Sequence, residues 1–150
     1  MKKYVSIIIT CILVMLSLNV FAQEREISVY INSQLLSSPV PARIVNGRTM
    51  LPMRVIFERL GAVVSWSEAD RIIFATKDDT LIVMQIDNKN IAIHKTAEMG
   101  STHIELDVAP FIDSGHTLVP VRAIAEALGA NVEWDSETYT VRLSLSGTAN

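Results

Sequence analysis

Val40-Pro-Ala-Arg-Ile-Val-Asn-Gly-Arg-Thr-Met-Leu-Pro-Met-Arg-Val-Ile-Phe-Glu-Arg-Leu-Gly-Ala-Val-Val-Ser-Trp66 is answered further along the chain by Val108-Ala-Pro-Phe-Ile-Asp-Ser-Gly-His-Thr-Leu-Val-Pro-Val-Arg-Ala-Ile-Ala-Glu-Ala-Leu-Gly-Ala-Asn-Val-Glu-Trp134. Val40 aligns with Val108 and Trp66 with Trp134, a constant offset of 68 without a gap, and 13 of the 27 positions are identical. Identity at this level within one chain marks an internal duplication. Two copies are too few for an extended solenoid, so a closed pseudo-symmetric unit is expected.

Both copies follow one internal order. A turn dipeptide comes first, Asn46-Gly47 and Ser114-Gly115. Pro52 and Pro120 suit a first helical position, where no N–H is needed. Apolar residues then recur at i, i+3, i+4 and i+7: Met53, Ile56, Phe57 and Leu60, and again Val121, Ile124, Ala125 and Leu128. That spacing makes one buried helical stripe. Gly61 and Gly129 stand where a helix ends in a left-handed residue, so each helix should be short, about 9 residues.

Beyond each helix the apolar period drops to two. Val64 and Trp66 lead through the polar run Ser67 to Asp70 into Ile72-Ile73-Phe74, and Val132 and Trp134 lead through Asp135 to Thr138 into Val141, Leu143 and Leu145. Each reads as a β-hairpin. A strand pair precedes each helix, with Ile27, Val29 and Ile31 alternating before Asn32-Ser33-Gln34, and Ile82, Met84 and Ile86 before Asp87 to Asn90. Residues 94–103 are extra in the second copy and predict a hairpin extension or a loop. The fold class is therefore α+β, antiparallel β-strands packed around two short helices. The repeats span about residues 27–77 and 79–145 within a domain of 23–146, followed by a tail, 147–150.

Residues 1–22 read as an address. Lys2 and Lys3 precede an uncharged, almost unbroken apolar run from Tyr4 to Val20, and Val20-Phe21-Ala22 places small residues at the −3 and −1 positions of a cleavage site. This is the pattern of a secretory signal peptide, and an uncleaved membrane anchor is the alternative. Its removal leaves positions 23–150, with 11 basic against 16 acidic side chains, net −5. It also takes away Cys11, the chain's one cysteine, and with it disulfides, thiolate metal sites and cysteine nucleophiles. A chain with fewer basic than acidic residues is no nucleic-acid coat.

The residues Asn46-Gly-Arg-Thr-Met-Leu-Pro-Met-Arg…Leu60-Gly-Ala…Trp66, with Ser114 to Asp135, resemble the copper amine oxidase N-terminal-like domain, or stalk domain, of secreted and envelope proteins of Gram-positive bacteria. The resemblance covers about residues 27–145 and implies an antiparallel sheet packed around a helix, with an accessory role. It implies no amine oxidase chemistry, because that enzyme's copper and tyrosine-derived cofactor lie in a different, larger domain. Tyr4, Tyr30 and Tyr139 do not stand in the setting that forms such a cofactor, so no cofactor and no metal are expected.

Four residues are candidates for ligand contact. Arg54 and Arg122 fall in the first helical turn, where a positive charge opposes the macrodipole, and each stands four residues before an acid, Glu58 or Glu126, in the weaker ion-pair order. They either tie helix to sheet or present guanidinium forks to an anionic ligand such as a wall polymer. Trp66 and Trp134 either seal the core or stack on sugar rings; their apolar strand phase favours the core. His94 and His103, near Glu98 and Glu105, could make a weak metal site, and His116 is the third histidine. No catalytic fingerprint appears, so no catalytic residue is assigned. The expectation is an exported non-catalytic envelope module that contacts an envelope protein or a wall polymer. A carbohydrate- or peptidoglycan-binding module using the exposed Arg or Trp side chains is the alternative, and a small secreted hydrolase or metal-binding protein comes third. Unpaired strand edges would allow a homodimer.

Overall fold

The computed structural model describes residues 25–145. The signal-peptide reading of residues 1–22 and the tail 147–150 lie outside them. In chain order the elements are β1 (Ser28–Ile31), β2 (Gln34–Leu35), β3 (Arg43–Val45), β4 (Arg48–Pro52), α1 (Met53–Arg59), β5 (Val63–Ser67), β6 (Ile72–Lys77), β7 (Thr80–Gln85), β8 (Asn90–Lys95), β9 (Ser101–Glu105), β10 (Phe111–Asp113), β11 (His116–Pro120), α2 (Val121–Ala127), β12 (Ala130–Asp135) and β13 (Thr140–Leu145).

The centre is a sheet of two hairpins, in the order β10-β11-β4-β3. Both hairpins close over two residues with positive φ, Asn46 (48°) and Gly47 (73°), and Ser114 (49°) and Gly115 (77°). Such turns match the right-handed twist of the flanking strands. The hairpins join edge to edge, with Met50 opposite Pro120, Leu51 opposite Val119 and Pro52 opposite Leu118. Leu51 and Val119 enter the main core, while Met50 and Leu118 pack with Val108 in a second cluster. Burial on both faces explains why Met50-Leu51 and Leu118-Val119 are continuous apolar pairs rather than alternating ones.

Pro52 and Pro120 are not the first helical residues. Pro52 (φ −56°, ψ 126°) and Pro120 (φ −70°, ψ 115°) keep extended geometry, end β4 and β11, and occupy the N-cap positions. Strand therefore runs into helix with no loop between them, and each helix has 7 residues rather than nine. Met53, Ile56, Phe57, Val121, Ile124 and Ala125 supply the helices' share of the core. Past α1, the Gly61 N–H donates to the Glu58 carbonyl and the Ala62 N–H to the Phe57 carbonyl, the paired bonds of a Schellman ending. After α2, Gly129 donates to Glu126, and Lys77 Nζ donates to the Leu128 carbonyl at 3.4 Å.

Two further sheets carry the rest, one in the order β5-β6-β7-β8-β9 and one in the order β12-β13-β1-β2. Each helix is followed by a hairpin as expected, β5–β6 and β12–β13, with Trp66 opposite Ile73 and Trp134 opposite Val141. Residues 94–103, expected as a hairpin extension or a loop, lie in the hairpin β8–β9. One pair departs from the all-antiparallel expectation: β1 runs parallel to β13, from Ser28 opposite Thr140 to Ile31 opposite Leu143. A parallel pair needs a long crossover, and here nearly the whole domain serves as that connection. Buried residues from both halves of the chain, among them Val29, Phe57, Ile82, Ile124 and Val141, make one continuous core.

Gly129 holds φ +79°, with open space where a Cβ would stand, so a substitution there meets backbone strain and no clash. Gly129→Val is expected to destabilise the domain by about 1–2 kcal/mol, the cost of a left-handed L-residue. Equilibrium denaturation measures it, and an unchanged midpoint would disprove the role of this residue in ending the helix.

Candidate functional site

Two surface clefts flank the central sheet. The first, about 570 Å³, lies between the tip of the β3–β4 hairpin (Ile44, Gly47, Arg48, Thr49), the end of β9 and the start of α2, with Trp134 at its wall. The second, about 740 Å³, lies between the tip of the β10–β11 hairpin (Ile112, Gly115, His116, Thr117) and the start of α1, with Trp66 at its wall. Each cleft combines the hairpin of one half of the chain with the helix start and Trp strand of the other. The linings correspond position by position at the same offset as the two aligned stretches: Ile44 and Ile112, Gly47 and Gly115, Thr49 and Thr117, Pro120 and Pro52, Arg122 and Arg54, Trp134 and Trp66.

This crossing follows from the sheet. Because β4 pairs with β11, each hairpin lies beside the partner strand's continuation into helix, and each hairpin tip faces the other half's first helical turn. Arg54 and Arg122 occupy that turn. Both are exposed, and among the described residues neither guanidinium makes a hydrogen bond or ion pair. Of the two readings of these arginines, tying helix to sheet finds no side-chain contact among the described residues, and both side chains are exposed. Trp66 and Trp134 are half-buried, packed against the core on one side and lining a cleft on the other, so the core reading accounts for only part of each ring. Trp134 also meets Tyr139 edge-on, with centroids 5.6 Å apart.

The surroundings of the two clefts differ. In the first, the Arg48 Nε–H donates to Asp107 Oδ2 at 2.6 Å, and Glu105 and Glu126 add further acid beside Arg122. In the second, Arg54 and Arg71 accompany one acid, Glu68. Arg71 pairs outward with Asp87 at 3.1 Å. The His116 Nδ1–H donates to the Ser114 carbonyl at 3.1 Å, since a carbonyl only accepts. In the turn after Trp134, the Thr138 hydroxyl and backbone N–H, with the Glu137 N–H and Arg142, hold the Asp135 carboxyl below its ordinary pKa.

The histidines do not assemble. His94 and His103 lie diagonally across the β8–β9 ribbon, exposed, with His103 Nε2 3.0 Å from Ser101 Oγ, while His116 lies on β11. Glu98 pairs with Lys95. Among the described residues no three His, Cys, Asp or Glu side chains group closely enough to hold a metal ion, so the donor set does not fit a copper centre. Nor is any described helix long and apolar enough to cross a membrane. Sequence reasoning overlooked Ile44, Thr49, Ile112 and Thr117 as cleft residues. Their identity between the two aligned stretches was the available signal, but which half they serve is decided only by the β4–β11 pairing.

Residues 30–143 match the family model of the copper amine oxidase N-terminal domain, and the chain belongs to that family. The matched domain is the non-catalytic, stalk-type part of copper amine oxidases. Comparison with curated proteins and with solved structures found no match.

Half-burial sets the expected cost of removing a Trp. Trp134→Ala should destabilise the domain by about 2 kcal/mol, roughly half of what a fully buried Trp loses. Urea denaturation checks this; a cost near zero would mean that the ring contributes no packing, and one above about 4 kcal/mol that it belongs wholly to the core.

Proposed function

We propose that this chain is an exported, non-catalytic module of the cell envelope that binds a wall polymer through its Arg- and Trp-lined surface clefts, one or both. The observation that carries this reading is the pair of exposed guanidinium groups, Arg54 and Arg122, without a partner among the described residues and each at a cleft walled by a half-buried Trp. A guanidinium offers a planar fork of donors to carboxylate or phosphate, and an indole face beside it suits a sugar ring. The family supports an accessory, non-catalytic role, and the composition of residues 1–22 supports export. The single offset that relates both the aligned stretches and the cleft linings supports an origin by internal duplication.

Co-sedimentation of residues 23–150 with isolated cell-wall sacculi across a salt series tests the proposal. Saturable binding that weakens in salt, and is lost in the Arg54→Ala/Arg122→Ala double variant at unchanged melting temperature, is the expected result. Absence of sedimentation at low salt would overturn it.

A second reading, contact with another copy of the chain, rests on the edge strand β5. Its solvent-facing residues are Val63 and Ser65, with Val63 76% exposed. The corresponding positions of β12, also at the end of its sheet, are Asn131 and Glu133. Charges on an edge strand discourage pairing with further strands, and β5 has none. A concentration-dependent dimer by analytical ultracentrifugation, abolished by Val63→Lys, is expected; a monomer at all concentrations would refute the pairing.

A further inference from the structure

The two clefts share a plan and differ in charge, and the difference selects between them. The first is lined by two arginines and three acids, Glu105, Asp107 and Glu126; the second is lined by two arginines and Glu68, with Asp87 paired to Arg71 from outside the lining. The first cleft's Arg48 is already committed to Asp107, and its Arg122 stands among the remaining two acids. In the second, Arg71 is likewise paired, with Asp87, so the contrast lies in the remaining groups: Arg54, which has no ion-pair partner among the described residues, shares its cleft with Glu68 alone.

The cause is local. Glu105 ends β9 and Asp107 follows it, so the hairpin extension found only in the second half of the chain delivers both acids to the first cleft. The second cleft has no such extension beside it, and its rim is completed instead by Pro39, Glu68 and Arg71. A carboxylate close to a guanidinium competes with an incoming anion for the same donors and repels it at short range.

The geometry points to the second cleft, and not the first, as the binding site for an anionic glycopolymer: Arg54 and Arg71 take its phosphate or carboxylate oxygens, and Trp66 lies against the sugar. This deepens the wall-polymer reading and rests on it. The shared chemistry is an anionic oxygen group on a sugar or polyol chain, so the test carries one arm for each source.

The exported chain is titrated calorimetrically with a glycerol-phosphate polymer, with a uronic-acid polymer and with a neutral glucan. One charged polymer or both should bind at one site per chain, and the neutral glucan should bind weakly. The arm that binds distinguishes phosphate from carboxylate. Arg54→Ala should weaken binding about tenfold or more, and Arg122→Ala by less than about twofold, since an exposed charge in an acid-rich cleft has little to offer an anion. Glu105→Gln/Glu126→Gln should open a second site and raise the stoichiometry toward two. Equal losses from the two Arg variants, or a stoichiometry of two in the unaltered chain, would overturn the selection of the second cleft while leaving the wall-polymer reading in place. Tight binding of the neutral glucan, unaffected by either Arg variant, would overturn the ionic basis of the site. Failure to sediment with sacculi overturns the wall-polymer reading itself.

Discussion

Three consecutive residue pairs join the two hairpins, and everything else in the domain is placed by them. Leu51 opposite Val119 is the middle pair, and the flanking pairs, Met50 with Pro120 and Pro52 with Leu118, exchange roles when each residue is replaced by its counterpart in the other half. An antiparallel contact between two strands of the same pattern closes in this self-complementary way, like the isologous contact of a two-fold dimer within one chain. Burial on both faces makes the contact costly to lose, because it contributes side chains to both hydrophobic clusters.

From that contact the geometry propagates without slack. Each central strand ends in a proline whose extended backbone feeds directly into a helical turn, so the position of Arg54 or Arg122 follows from the strand register rather than from a loop. The same pairing brings each hairpin tip across to the opposite half. A cleft is therefore completed only by both halves together, and the backbone positions of its lining are set by the sheet register.

Much of this was legible in the amino-acid sequence, for identifiable reasons. The i, i+3, i+4, i+7 stripe from Met53 to Leu60 and the glycine at 61 are local signals, and the helix and its ending followed from them. The hairpins after the helices were likewise announced by period-two residues around polar turns. Long-range pairing was not legible. Nothing local in Met50-Leu51-Pro52 announces a partner in the other half of the chain, and proline there suits a strand end as well as a helix start. The exposure of Arg54 and Arg122 and the half-burial of Trp66 and Trp134 also depend on how two halves meet, and residue type and spacing do not determine that. The charge contrast between the clefts was hidden because Glu105 and Asp107, at and just past the end of β9, reach a site built mostly by other elements.

The parallel pairing of β1 with β13 has a mechanical consequence. Parallel neighbours at the two ends of the described chain send residue 25 out at one end of the sheet and residue 145 out at the other. A pull applied between those points drags β1 and β13 past each other along their length. The hydrogen bonds between them are loaded together in shear instead of being opened one by one from a frayed end. Resistance to such a pull is set by the barrier to unfolding rather than by equilibrium stability. Short as the pair is, four residues of β1 against β13, it is the first contact that a pull between those two points would load.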